Sequence, residues 1–144
     1  MSLELGLRAL LLNRLPIRAL IPDQVVGNQT FACVFNEDPP EGVKPPFILI
    51  HQIDFDPMKA FDGTTGMTLT EVDIDCYAYD HAKLTTLSNL VADYLKDFTG
   101  TLPNGHIIDA ILWQNKRFDR DIMGDGTDTR RRIVSNSFDI QSHS

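Results

Sequence analysis

The sequence predicts an α+β domain: a mostly antiparallel sheet of about four to five strands, with an N-terminal helix and a second helix packed on one face. Three observations carry that expectation. Residues 67–80 (MTLTEVDIDCYAYD) alternate apolar and polar side chains, the pattern of a strand with one core face and one polar face. Residues 81–98 follow directly with apolar side chains at helical spacing. Two further strand-like runs, 106–119 and 130–141, flank the glycine-punctuated segment DIMGDGTDT, which reads as a hairpin loop.

The elements follow in order. Residues 2–14 predict a helix, with Ser2 as N-cap and Leu3, Leu7, Leu10 and Leu11 on one stripe. Gly6 weakens it by about 1 kcal/mol relative to alanine, and Pro16 is expected to stop it. Arg18–Val26 reads as extended or loop-like around Pro22. Thr30–Phe35 reads as a short strand because its side chains are aromatic or β-branched. NEDPPEGVKPP is a surface loop. FILIHQIDFD (47–56) is a strand, with Phe47, Leu49, His51, Ile53 and Phe55 on one face.

The connection 57–66 is long for a hairpin. In the strand at 67–80, Val72, Ile74, Cys76 and Ala78 face one way, and Glu71, Asp73, Asp75, Tyr77 and Tyr79 the other. In the helix after it, Asp80 is the expected N-cap and Gly100 the left-handed stop. Leu84, Leu87, Leu90, Val91, Tyr94, Leu95 and Phe98 form its apolar stripe. LPNG (102–105) is a turn. The last strand places Val134, Phe138 and Ile140 on one face, and the tail QSHS is expected to fray.

At 144 residues the chain is expected to form one domain, 1–144, able to bury a core without disulfide or metal staples. Thirteen Lys and Arg against twenty Asp and Glu give a net charge of −7. That argues against a general nucleic-acid or anionic-membrane surface, because both need positive charge to displace counterions. Cys33 and Cys76 cannot make a disulfide framework, and the expectation is two buried free thiols in a reducing cytoplasm. No apolar run reaches the ~18–20 residues of a membrane span. The leucine-rich start lacks the layout of a secretion signal.

Little in the sequence points to catalysis. Asp54 with Asp56, and Asp73 with Asp75, are carboxylates two apart on strands, and such pairs can bind Mg²⁺. A solvated strand face explains them as well. DRDIMGDGTD (119–128) lacks the ligand alternation and closing glutamate of a calcium loop. His51, His81, His106 and His143 join no nucleophile motif, and phosphate-cradling and dinucleotide motifs are absent. The chain is therefore expected not to be an enzyme and to need no cofactor.

Two features point to assembly. Arg130, Arg131 and Arg132 open the last strand, with Lys116 and Arg117 near the opposite arm. This group is either edge protection or a basic rim facing a partner. The second is an apolar excess on both sheet faces. In the strand at 106–119, strict alternation sends Ile108, Ala110 and Leu112 one way and Ile107, Ile111 and Trp113 the other. Two helices cannot cover both faces, so either the irregular segment 17–46 folds over the second face or, the favoured expectation, Ile107, Ile111 and Trp113 meet a neighbouring subunit.

The whole pattern resembles the tail completion or tail terminator proteins of long-tailed bacteriophages and prophages. The resemblance runs through the N-terminal helix, PPFILIHQI (45–53), the connection after it, and TEVDIDCYAYD (70–80) leading straight into HAKLTTLSNLVADYL (81–95). It ends with the hairpin closing in RRRIVSNSFDIQ (130–141). It implies a non-enzymatic virion subunit, assembled in the host bacterial cytoplasm into a homo-oligomeric ring, usually a hexamer. Such a ring caps the tail tube, halts its polymerisation and offers a surface to the head-tail connector. It implies no functional side chains to carry over. The acidic net charge suits a lumen that passes DNA without binding it. Alternatives are a head-tail connector (neck) adaptor, a small phosphoryl-transfer enzyme using Asp73 and Asp75, and a dimeric binding module.

Overall fold

The computed structural model describes residues 3–57, 68–122 and 130–143. The expected loops 57–66 and 120–129 lie largely outside the described residues. So do the side chains of Asp54, Asp56, Arg130 and Arg131, and so does Ser2.

The elements are α1 (Leu3–Leu12), α2 (Leu15–Leu20), β1 (Gln24–Val26), β2 (Gln29–Phe31), β3 (Val34–Phe35), β4 (Phe47–Pro57), β5 (Thr68–Ala78), α3 (His81–Leu95), β6 (Gly100–Thr101), β7 (Ile107–Ile122) and β8 (Arg130–His143). The fold is α+β. A six-stranded sheet runs β3-β4-β5-β8-β7-β6, and β1 and β2 form a separate two-stranded ribbon. Every pairing is antiparallel except β3 with β4. The strand count exceeds the expected four to five because three short strands, β1, β3 and β6, carry too few residues to show a pattern.

β5 is the strand the sequence describes best. It has partners on both sides from Thr68 to Tyr77, β4 and β8, in unbroken register with β8. Val72, Ile74, Cys76 and Ala78 are buried, as their alternation predicts. They join Ile48 and Ile50 of β4 and Val134, Phe138 and Ile140 of β8 on one apolar face. α3 packs chiefly on β5 and β8 and buries Leu84, Leu87, Val91 and Leu95 there. Each large side chain buried this way contributes about 1.5–3 kcal/mol. The Asp80 carboxylate caps α3, accepting the Ala82 N–H at 3.0 Å.

α1 explains how the helical layer closes. Arg8 Nε donates to the Val34 carbonyl of β3 at 2.6 Å. On the same helix, a Cβ added at Gly6 would sit 2.6 Å from Asn104 Oδ1 and 2.7 Å from Leu102 Cδ1. β3 is one end of the sheet and the 102–105 turn leads out of the other, so the sheet curls far enough for both ends to meet α1. Gly6 is thus a close-approach glycine, which offsets its helix-propensity cost. Gly105 adopts φ +92°, and its N–H donates to the Leu102 carbonyl at 2.8 Å, closing the predicted turn.

Several expectations are corrected. Pro16 does not end the helical region; it occupies the first turn of α2, where a missing N–H costs nothing. Thr30–Phe35 is not one strand but the end of β2 and the whole of β3, in different sheets. Gly100 does not stop α3, which ends at Leu95 with Lys96 as C-cap; Gly100, at φ +128°, opens β6. The tail is held through His143: Ser142 is fully buried, with its Oγ 3.0 Å from His106 Nε2 and 3.2 Å from Thr68 Oγ1.

Candidate assembly surface

β7 is sixteen residues long, yet its outer neighbour β6 pairs only with Ile107 and Ile108. Among the described residues, 109–122 have β8 on one side and nothing on the other. At the opposite end, β3 pairs only with Ile48 and Leu49, which leaves the outer edge of 50–57 in β4 open among the described residues. An unpaired strand edge presents a row of backbone donors and acceptors ready to extend a sheet.

The side chains along β7 do not follow strict alternation. The register with β8 slips between Ile108 and Ala110 and again between Trp113 and Asn115. Each slip inserts one residue and reverses the phase. Ile108, Ile111, Trp113, Lys116 and Phe118 therefore share the helix-side face, in rows with Ser142, Ile140, Phe138, Asn136 and Val134. Ile107, Ala110, Leu112 and Arg117 lie on the opposite face.

The expected interface set is accordingly split. Ile111, 5 % exposed, belongs to the chain's own core. Ile107 is partly buried on the other face. Trp113 alone of the three is open, at 46 % exposure, and it is joined by Leu112 at 56 % and Phe118 at 57 %. Leu112 and Phe118 were not singled out by the sequence, because the two bulges that expose them leave no local signature.

Trp113 is exposed but pinned. Its Nε1–H donates to Asn136 Oδ1 at 3.2 Å, and Asn136 is fully buried in the middle of the apolar face. Phe118 lies 6.0 Å from the His81 ring at the start of α3, and Lys116 Nζ donates to Asn89 Oδ1 on the same helix. α3 stops short of covering β7, so these side chains form a shoulder beside it. A fixed aromatic in a partly dry setting is the usual anchor of a protein interface.

The predicted basic rim is not one surface. Lys116 points to the helix side and Arg117 to the other, where its guanidinium lies 3.8 Å from Asp73 Oδ2. Arg132 is partly buried.

The acidic pair Asp73 and Asp75 does share the open face. Ser137 Oγ donates to Asp73 Oδ1 at 2.6 Å, and His51 Nε2 lies 3.3 Å from Asp75 Oδ2. Among the described residues no group of three or more His, Cys, Asp or Glu side chains is arranged to hold a metal ion. Cys33 and Cys76 are free and buried, and burial pushes both thiols up, Cys76 further because it is the more deeply enclosed, with Asp75 adding to the shift. Neither is poised as a nucleophile. His106 and Ser142 lie at dyad distance but are sealed in the core, where burial and His143 push the His106 pKa down. No helix among the described residues is long and apolar enough to cross a membrane.

No family model and no curated protein matches the chain. Among solved structures it is similar to a chain of the virion of a native gene transfer agent particle. The two share 14 % identity at a TM-score of 0.73, over 99 % of this chain and 96 % of that one. At that identity the likeness establishes the fold.

Proposed function

We propose that this chain is a structural subunit of a phage-like virion, one that closes into a ring, caps the tail tube and joins it to the head connector. The observation that carries the reading is the end-to-end likeness to a chain of a gene transfer agent virion. The assembly surface supplies the physics. The two open edges, 109–122 of β7 and 50–57 of β4, are not equivalent. Joining one to the other in the next copy is a head-to-tail contact, and such contacts generate closed rings when the rotation closes. Trp113, Leu112 and Phe118 on β7 and exposed Ile53 on β4 would be covered in that contact. A net charge of −7 keeps passing DNA from adhering to the lumen.

The experiment is electron microscopy of particles made without the chain. Tails of uncontrolled length support the capping role. Tails of normal length that lack heads identify a neck adaptor instead. Normal, infectious particles overturn both.

A further inference from the structure

We propose that the open face of the sheet carries a receptor for an arginine side chain of a partner protein. It is a crevice of about 230 Å³ whose lining, shared with Phe118, includes Asp73, Asp75, Tyr77, Arg117 and Ser135. Adjacent strands build it in rows. Asp75 of β5 stands beside Ser135 of β8, and Ser135 beside Arg117 of β7.

Among the described residues, two polar atoms there have no hydrogen-bond partner: Asp75 Oδ1 and Ser135 Oγ. Ser135 is only 8 % exposed. A buried carboxylate oxygen and a buried hydroxyl left unmatched cost free energy, and native proteins match nearly all such groups. The groups around them do not supply the match. His51 takes the other oxygen of Asp75, at 3.3 Å, and Ser137 takes Asp73. Arg117 leans toward Asp73 at 3.8 Å, beyond hydrogen-bond distance, from a side chain that is 69 % exposed.

The chemistry selects the ligand. Asp75 Oδ1 is purely an acceptor and Ser135 Oγ can act as one, so an occupant that donates more than once can match both. Two carboxylates facing one exposed guanidinium and one imidazole favour a cation. The Tyr77 ring, stacked on Phe47 with centroids 4.6 Å apart, gives a rigid wall. A planar guanidinium carries donors in a fixed fork and stacks on aromatic faces, which fits all three features. The proposal does not depend on ring formation or on tail capping, since the crevice is complete within one chain.

The test is fluorescence anisotropy of a dye-labelled peptide carrying a single arginine, titrated with the full chain. The control peptide carries citrulline, which keeps the shape and loses the charge. The expected result is saturable binding of the arginine peptide and at least about tenfold weaker binding of the citrulline peptide. S135A removes only an unpartnered hydroxyl and is expected to fold; it and D75N should each weaken binding about tenfold, whereas D93N on α3 should not. Binding that does not saturate, or that citrulline reproduces, overturns the proposal. So does binding that S135A and D75N leave unchanged, or that D93N weakens as much.

Discussion

β5 and β7 belong to the same sheet and face the same core, but they do different work. β5 is paired on both sides, and Val72, Ile74, Cys76 and Ala78 on its core face are all buried. β7 is paired on one side for most of its length, slips register twice, and leaves Leu112, Trp113 and Phe118 open. The lesson is that regular alternation marks a strand that the chain completes by itself. Apolar content on a bulged strand at an open edge marks surface left for a partner.

The sharpest way to break this comparison is to shorten one side chain on each strand. Ile74→Ala on β5 leaves a cavity in a fully buried row and is expected to cost about 2–5 kcal/mol in urea unfolding. Leu112→Ala on β7 should stay within about 0.5 kcal/mol, because its side chain is largely in water in the single chain. Equal losses at both sites would erase the distinction.

Next in size is Gly6→Ala, which drives a methyl group into Leu102 and Asn104 at the turn leading into β7. A loss of about 1–3 kcal/mol is expected, although alanine is the better helix former. A stabilised variant would mean that α1 does not hold both ends of the sheet together. Asp80→Ala, at the exit of β5, removes the α3 cap and should cost about 1 kcal/mol by thermal or urea unfolding.

The smallest effect is a slope at the start of β7. His106 is held neutral by burial, with its pKa below the ordinary 6.5. Below about pH 6.5 the unfolded chain takes up a proton that the folded chain resists, so stability falls as pH drops. His106→Gln should flatten the part of that slope lying between pH 6.5 and the lower folded value. An unchanged slope would remove His106 from the account.

The same contrast explains what was legible in the sequence. β5 and the start of α3 are readable almost to the residue, because Val72, Ile74 and Cys76 alternate without interruption and Asp80 marks the junction; the end of α3, at Leu95 rather than before Gly100, is not. β7 was recognisable as a strand, but its faces were not, because the extra residues near Asp109 and Gln114 reverse the phase without any local mark. That is why Ile107, Ile111 and Trp113 were grouped although only Trp113 is open. α2 was hidden by Pro16, which can end one helix or begin the next. Ser142 looked like part of a frayed tail, since nothing nearby in sequence announces its contacts with His106 and Thr68. The crevice was half visible: alternation put Asp73 and Asp75 on one face, but Ser135 and Arg117 joined them only through strand pairing.

The most direct measurement of the central claim is sedimentation velocity of the full chain over about 1–100 µM, alongside Trp113→Glu. The account predicts that the wild type shifts from a single chain to one closed multimer as concentration rises. Trp113→Glu, with unchanged circular dichroism, should remain a single chain throughout. A wild type that stays single across the whole range, or a Trp113→Glu variant that assembles equally well, would contradict it.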